Sequence, residues 1–204
     1  MPLQNRVLPT QEIVALSARG TLTGNRGILH RDDRTLGRAR WTHKAWICCT
    51  LDWKGLRRRV MTGRTWTELF FLDEATALAA GHRPCARCRR TAYMRFQDAW
   101  TAATGERVTA QQIDAALHAA RLAPDRRQRR HRADCGKLPD GTLILWQDRP
   151  HLVRAGAALP WTPDGYGAPA DMKKGTEVIV LTPAPLVAVL QAGYAPAMHD
   201  TVPG

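Results

Sequence analysis

In the first part of the chain, apolar and polar positions change over short intervals. "RVL", "EIVAL" and "TGNRGILH" read as short strands and turns punctuated by glycine. "AWICCTLDW" (Ala45–Trp53) gathers apolar, β-branched and aromatic residues and predicts a strand. "KGLRRRVM" is its expected hairpin return, with Lys54 and Gly55 near the turn. "TWTELFFL" (Thr65–Leu72) predicts another strand. The period then changes. Asp73 is a predicted N-cap for the short helix "EATALAA", which Gly81 stops.

From Ala86 to Ala103, Ala92, Phe96, Ala99 and Trp100 recur near helical spacing, and Gly105 ends the segment. Thr109 caps a further helix, "AQQIDAALHAARLA", closed by Pro124. The breaker-rich "DRRQRRHRADCGKLPDG" follows as a domain boundary or arm. Beyond it, "TLILWQ", "HLVRA" and "TEVIVL" read as strands, and "APLVAVLQA" as a last helix stopped at Gly193. The expected fold class is α+β: small sheets with a metal knuckle and helices, then a β-rich C-terminal part. The expected units are residues 1–104, a helix and basic linker at 105–135, and a C-terminal subdomain at 136–204. "ALAAGHRPC" and "VLQAGYAPA" echo each other because both are helices ended by glycine, with proline preventing continuation.

Composition changes this picture mainly through charge. The chain of 204 residues carries a formal net charge of +12. From Lys137 onward five Lys/Arg face six Asp/Glu, so the excess lies wholly on the earlier, cysteine-bearing side. That asymmetry points to a polyanionic partner, nucleic acid first and DNA before RNA. No apolar run is long enough to span a membrane. The N-terminal residues lack a signal-peptide layout, which makes the cytoplasm the expected compartment. Five cysteines, Cys48, Cys49, Cys85, Cys88 and Cys135, form no disulfide framework and favour metal binding or free thiols.

Cys85 and Cys88 stand in "GHRPCARCRR". A Cys-x-x-Cys turn aims two thiolates at one ion, and zinc requires four tetrahedral ligands. On a strand, neighbouring side chains point to opposite faces, so only one of Cys48 and Cys49 can easily join them. His30, His43, His82 and Cys135 are candidates for the remaining position.

"FFLDEATALAAGHRPCARCRR" resembles the distal half of the Ada-type zinc-binding domain, which repairs methylphosphotriesters in DNA. The matching positions are Phe70, Phe71, Glu74, Ala75, Gly81, His82, Arg83, Pro84, Cys85 and Cys88. The resemblance implies that Cys85 and Cys88 are zinc thiolates. The family's proximal Cys-x-x-x-Cys, one cysteine of which accepts the methyl group, is replaced here by "ICC". Cys49, with Cys48 as its alternative, is then the expected third ligand, and His30 in "GILH" the fourth. The expected cofactor is one Zn2+.

Arginines gather near this knuckle: Arg57, Arg58 and Arg59 in "LRRRV", and Arg83, Arg87, Arg89 and Arg90 around the cysteines. Arg126, Arg127, Arg129 and Arg130 form a second basic run. Guanidinium forks suit phosphate oxygens, so all are candidate nucleic-acid contacts. Trp46 and Trp53 are expected to anchor the sheet. The loop "LPWTPDGYG" offers a Trp and a Tyr as a candidate recognition pocket.

"HRDD", with His30, Asp32 and Asp33, is a candidate oxygen-rich cation site of nuclease type, or simply a turn. The first reading is thus a zinc-stabilised nucleic-acid-binding protein associated with DNA repair or defence. The alternatives are a DNA-acting enzyme, either nuclease or cysteine-based methyl acceptor, and a zinc-structured interaction scaffold.

Overall fold

A computed structural model describes residues 1–55, 59–63 and 65–203. The fold is α+β. The first sheet contains β1 (Gln4–Val7), β2 (Ile13–Ala15), β3 (Leu22–Asn25), β4 (Ile47–Thr50), β5 (Leu69–Phe71) and, after helix α1 (Glu74–Ala79), the two-residue β6 (Arg83–Pro84). Its strand order is β2-β1-β5-β3-β4-β6. β1 runs parallel to β5 and β4 parallel to β6, while the other neighbours are antiparallel. The expected return strand after Gly55 includes positions 56–58, which lie outside the described residues.

Helices α2 (Arg90–Thr104) and α3 (Ala110–Arg121) follow. α2 starts later than its apolar period suggests, because the knuckle occupies the residues before it. Thr109 caps α3 with a complete capping box, and Gly105 ends α2 in the left-handed conformation at φ +77°. The second sheet holds β7 (His131–Asp134), β8 (Leu143–Trp146), β9 (Arg149–Arg154), β10 (Ala157–Thr162), β11 (Gly165–Tyr166), β12 (Ala170–Asp171) and β13 (Glu177–Val180), and α4 (Ala184–Gln191) follows it. All its pairings are antiparallel.

β10 and β7 are strands that the apolar pattern does not announce. Pro160 interrupts the pattern of β10, which is paired through a tight turn at Ala155–Gly156, both residues at positive φ. β7 lies inside the basic run and pairs along β13. The residues ahead of it form a closed turn. The side-chain Nε2 of Gln128 donates to the carbonyls of Pro9 (2.7 Å), Ala79 (3.2 Å) and Leu181 (3.1 Å). These three bonds hold the run between the two halves of the chain.

α1 organises the interior. Every residue from Glu74 to Ala79 is buried. Leu78 joins Phe96, Trp100, Ile113, Leu117, Leu186 and Leu190 in a core among the helices. Ala75 and Ala79 pack with Leu143, Leu152, Leu159 and Leu181 of the second sheet, and Ala77 and Ala80 pack with Phe71 and Leu69 of the first. A helix flanked on all sides carries small side chains because close-packed elements leave room for little else.

Its first turn is fastened by side chains. Asp73 accepts from the Thr76 amide (2.8 Å), the Tyr166 hydroxyl (2.9 Å) and the His199 amide (3.1 Å). The loop around Trp161 and Tyr166, a candidate pocket by sequence, therefore packs inward: Trp161 Nε1 also donates to Thr76 Oγ1 at 3.0 Å. Among the described residues no helix is long and apolar enough to cross a membrane.

Candidate metal centre

Strand β4 alternates. Cys48 is fully buried against Leu69, Phe71 and Ala77, while Cys49 faces the opposite side of the sheet. Gly24 of β3 lies opposite Cys48, and a Cβ there would come within 2.2 Å of the Ile47 carbonyl oxygen. Glycine is what lets the two strands approach so closely.

The distant half of the site arrives through a second glycine. Gly81, at φ +82°, turns the chain out of α1, and Arg121 packs over it while donating to its carbonyl at 2.9 Å. Arg83 and Pro84 then pair beside Ile47 and Cys48, and the Cys85 amide donates to the Cys48 carbonyl at 3.0 Å. This register sets the knuckle next to Cys49.

The sulfurs of Cys49, Cys85 and Cys88 lie within 4.8 Å of one another, and together they could hold a metal ion. Four-coordinate zinc with sulfur at about 2.3 Å places its sulfurs about 3.8 Å apart, inside the bound that this group meets. The Arg87 amide already donates to Cys85 Sγ at 3.4 Å, as a knuckle that holds a thiolate should.

The thiols share protons unequally. Hydrogen bonding from Cys49, opposed by burial, brings Cys85 down to about 5. Cys49 is pushed up because its proton bonds Cys85 and because it is buried. Cys88 is raised by burial and by the neighbouring Cys85 charge. Three clustered thiols cannot all ionise without a cation. One is therefore a thiolate at neutral pH and two keep their protons. Metal binding at pH 7 should release about two protons per ion, and affinity should rise with pH. Calorimetry in buffers of different ionisation enthalpy measures that number; zero release would contradict this protonation pattern.

Cys48, the alternative to Cys49, takes no part in the cluster. Burial, reinforced by Glu74, pushes its thiol up to about 12, and its sulfur accepts from Arg89 Nη1 at 3.1 Å. His30 is also outside the group. Its Nδ1 lies 2.8 Å from Thr67 Oγ1 and its Nε2 3.1 Å from the Gly63 carbonyl, so both ring nitrogens are committed. His82 is buried between Phe71 and Trp46, with burial and Arg26 pushing its ring well below the usual range. His43 bonds Asn25 at 3.0 Å, and Cys135 packs in the second sheet's core. Three thiols are thus the whole donor set among the described residues. "HRDD" is a turn: Asp33 Oδ1 accepts from the Thr35 amide (2.9 Å) and hydroxyl (2.6 Å).

Two of the candidate phosphate contacts also need correction. Arg83 is only 5% exposed and grips Asp114 with two bonds of 2.8 Å. Arg89 grips Glu74 with two bonds of 2.8 Å. Both guanidiniums are spent on internal carboxylates, and together they pin the knuckle to α3 and α1. Arg59, Arg87, Arg90, Arg126, Arg127, Arg129 and Arg130 are exposed. Among them Arg127 lies 3.7 Å from Asp125, and Arg126 covers Trp41 at 4.7 Å. Arg57 and Arg58 lie outside the described residues.

The sequence reading missed a cleft of about 920 Å³ whose wall includes all three cysteines. Its floor is the outer face of the first sheet. Thr23 and Asn25 of β3, Ile47 and Cys49 of β4, and Glu68 and Phe70 line it, with Trp66 beside them. Trp53 is half-buried at this cleft, with Arg87 4.6 Å over its ring, and does not join the core as Trp46 does. The period-two spacing of Trp66, Glu68 and Phe70 was the available signal, since Thr67, Leu69 and Phe71 point inward.

A second depression of about 710 Å³, lined by Arg6, Arg34 and Arg59, shares Val60 and Phe70 with the cleft. Strand register joins them: Arg6 pairs with Phe70, Phe70 with Thr23, and Thr23 with Cys49. At the usual strand spacing that row covers about 14 Å.

Fold and site together define an α+β protein with a three-cysteine group, able to hold a metal ion, in the wall of an aromatic cleft. No family model matches the chain, and neither a curated protein nor a solved structure matches it.

Proposed function

We propose that the protein is a zinc-containing nucleic-acid-binding protein, DNA being the favoured polyanion and the cytoplasm its compartment. The observation that carries this reading is the continuity of an arginine-lined depression with an aromatic cleft that ends at the thiols. Arg34 and Arg59 suit phosphate at one end, beside Arg6, which is held by the Ala18 carbonyl and Asn5 Oδ1, and Arg87 carries positive charge at the other. Trp53, Trp66 and Phe70 between them supply aromatic rings of the kind that stack on bases, with Arg87 over Trp53 at 4.6 Å and Arg6 over Phe70 at 4.9 Å as cations beside them. Zinc fits because three clustered sulfurs are soft donors that can fill three of its four tetrahedral positions. Cys49, Cys85 and Cys88 would hold it, and the ion would hold the thiolates ionised. The resemblance of Phe70–Arg90 to the Ada-type domain agrees with this reading and suggests an association with DNA repair.

Binding to short DNA should weaken steeply with salt, because each neutralised phosphate releases counterions. Arg59→Ala and Arg87→Ala should each lower the slope of log affinity against log salt by about one. Fluorescence polarisation over a salt series measures this. Affinity that ignores salt, or slopes unchanged in both variants, would remove the phosphate path.

One observation favours a reactive version of the same site. Closed structural zinc sites use four protein ligands, whereas this group has three and lines a cleft. A metal-held thiolate there is reachable, and methyl transfer from a phosphotriester becomes a second reading. The sulfur would gain an S–CH3 bond as the O–CH3 bond breaks, leaving a phosphodiester anion. A one-methyl mass increment on Cys49, Cys85 or Cys88 after incubation with methylated DNA would support it; unmodified cysteines would refute it.

A further inference from the structure

We propose that the cleft beside the thiols takes a single unstacked nucleobase carrying an exocyclic amino group, and that Glu68 reads that group. The inference rests on the nucleic-acid reading above and specifies what the cleft itself selects. Its size falls within the ordinary range of small-molecule sites. Its polar lining is sparse beside Trp53, Trp66 and Phe70, so a flat, mostly apolar ligand suits it.

Glu68 supplies the selectivity. It is 4% exposed, and its Oε2 accepts the Met61 amide at 2.8 Å. Its Oε1 is buried with no hydrogen-bond partner among the described residues, although the side chain lines the cleft. A buried carboxylate oxygen is normally matched by a donor. The cleft that Glu68 lines is where such a donor, ligand or displaceable water, would enter.

With only one oxygen unmatched, Glu68 reads one donor rather than a bidentate pair. Cytosine N4 and adenine N6 offer such a donor on their pairing edges. Thymine and uracil place a carbonyl oxygen at that position, and their one donor, N3–H, lies between two carbonyl oxygens that would confront the carboxylate. The phosphate of the same nucleotide has its place nearby, because Phe70 and Val60 belong to both the cleft and the arginine-lined depression.

The test uses the full-length, zinc-loaded protein with oligodeoxycytidine and oligodeoxythymidine of equal length at neutral pH, so that phosphate charge is constant. Polarisation should show about fivefold tighter binding of the cytidine strand, the low end of base-edge discrimination. Glu68→Gln should invert that preference. The Met61 amide needs an acceptor and retains the amide oxygen, which turns the NH2 into the cleft as a donor for thymine O4.

Equal affinity of wild type for both strands would overturn the base pocket while leaving the nucleic-acid reading intact. Absence of binding to either strand would overturn both. A Glu68→Gln protein that melts normally yet keeps the cytidine preference would remove Glu68 as the reader. Should that variant fail to fold, phosphate-free cytidine against uridine on wild type decides the matter by calorimetry: preference for cytidine supports the pocket, and indifference refutes it.

Discussion

Cys85→Ser should abolish stoichiometric metal and lower the melting temperature by roughly 8–16 °C. The estimate starts from linkage. An ion present at a thousand times its dissociation constant stabilises the folded state by about 4 kcal/mol. For a domain near two hundred residues, each kcal/mol corresponds to about 2–4 °C. Cys85 matters most because it belongs to both halves of the site: its amide bonds the Cys48 carbonyl and its sulfur lies in the cluster. Chelation of the wild type should reproduce the shift, and chelation of the variant should add nothing. Cys48→Ala is the matched control, since that thiol faces the core, and it should retain the ion. Elemental analysis and calorimetry of the three proteins check this. A Cys85→Ser protein with full metal or an unchanged melt would refute the site.

The second large effect lies behind the knuckle. Glu74→Ala should destabilise the chain by about 3–5 kcal/mol, because it strands a largely buried guanidinium. The carboxylate accepts two bonds from Arg89, the Tyr194 hydroxyl at 2.6 Å and the Ala197 amide at 2.8 Å. It is 2% exposed and has no solvent to replace these partners. Denaturant midpoints should fall without a change in slope. Cleavage in residues 195–203 should quicken, since Ala197 and His199 lose or share their anchor on the first turn of α1. Glu74→Leu with Arg89→Met should recover part of the loss, because replacing both charges leaves none unpaired. A single Glu74→Ala variant as stable as wild type would show that Arg89 finds another partner.

Much of the local structure was legible. Asp73, Thr109, Gly105 and Gly193 behave as helix boundaries because caps are short-range devices: a side-chain oxygen meets an amide two or three residues on, or a glycine takes positive φ. That only one of Cys48 and Cys49 joins the site follows from strand alternation, and Cys85 with Cys88 from the reach of a short turn. Which of the strand pair it is came from the packing of Cys48 into the core. The strands β7 and β10 were not legible. Neither carries a strong apolar alternation, and each is held by pairing to β13 or β9.

The arginines show the limit most clearly. In the sequence Arg83, Arg87, Arg89 and Arg90 are equivalent members of one basic cluster. Folded, two of them turn inward to Asp114 and Glu74 and two remain exposed. Asp114 is thirty-one positions from Arg83 and carries no mark of the pairing. The same holds for α1, a short helix whose acid and threonine give no sign of full burial. It is buried because three cores converge on it and because Glu74 meets Arg89, Tyr194 and Ala197.

The chain by itself determined which two cysteines share a short turn, that only one of Cys48 and Cys49 can easily join them, and where the net positive charge lies. These follow from bond geometry and from charges that need no neighbour to be counted. Tertiary structure alone decided that, among the described residues, the donor set stops at three sulfurs, that His30 turns to Thr67, and that a cleft with a Glu68 oxygen unmatched by any of them lies beside the thiols. Those depend on which surfaces meet when distant segments pack, and no short-range preference specifies that meeting.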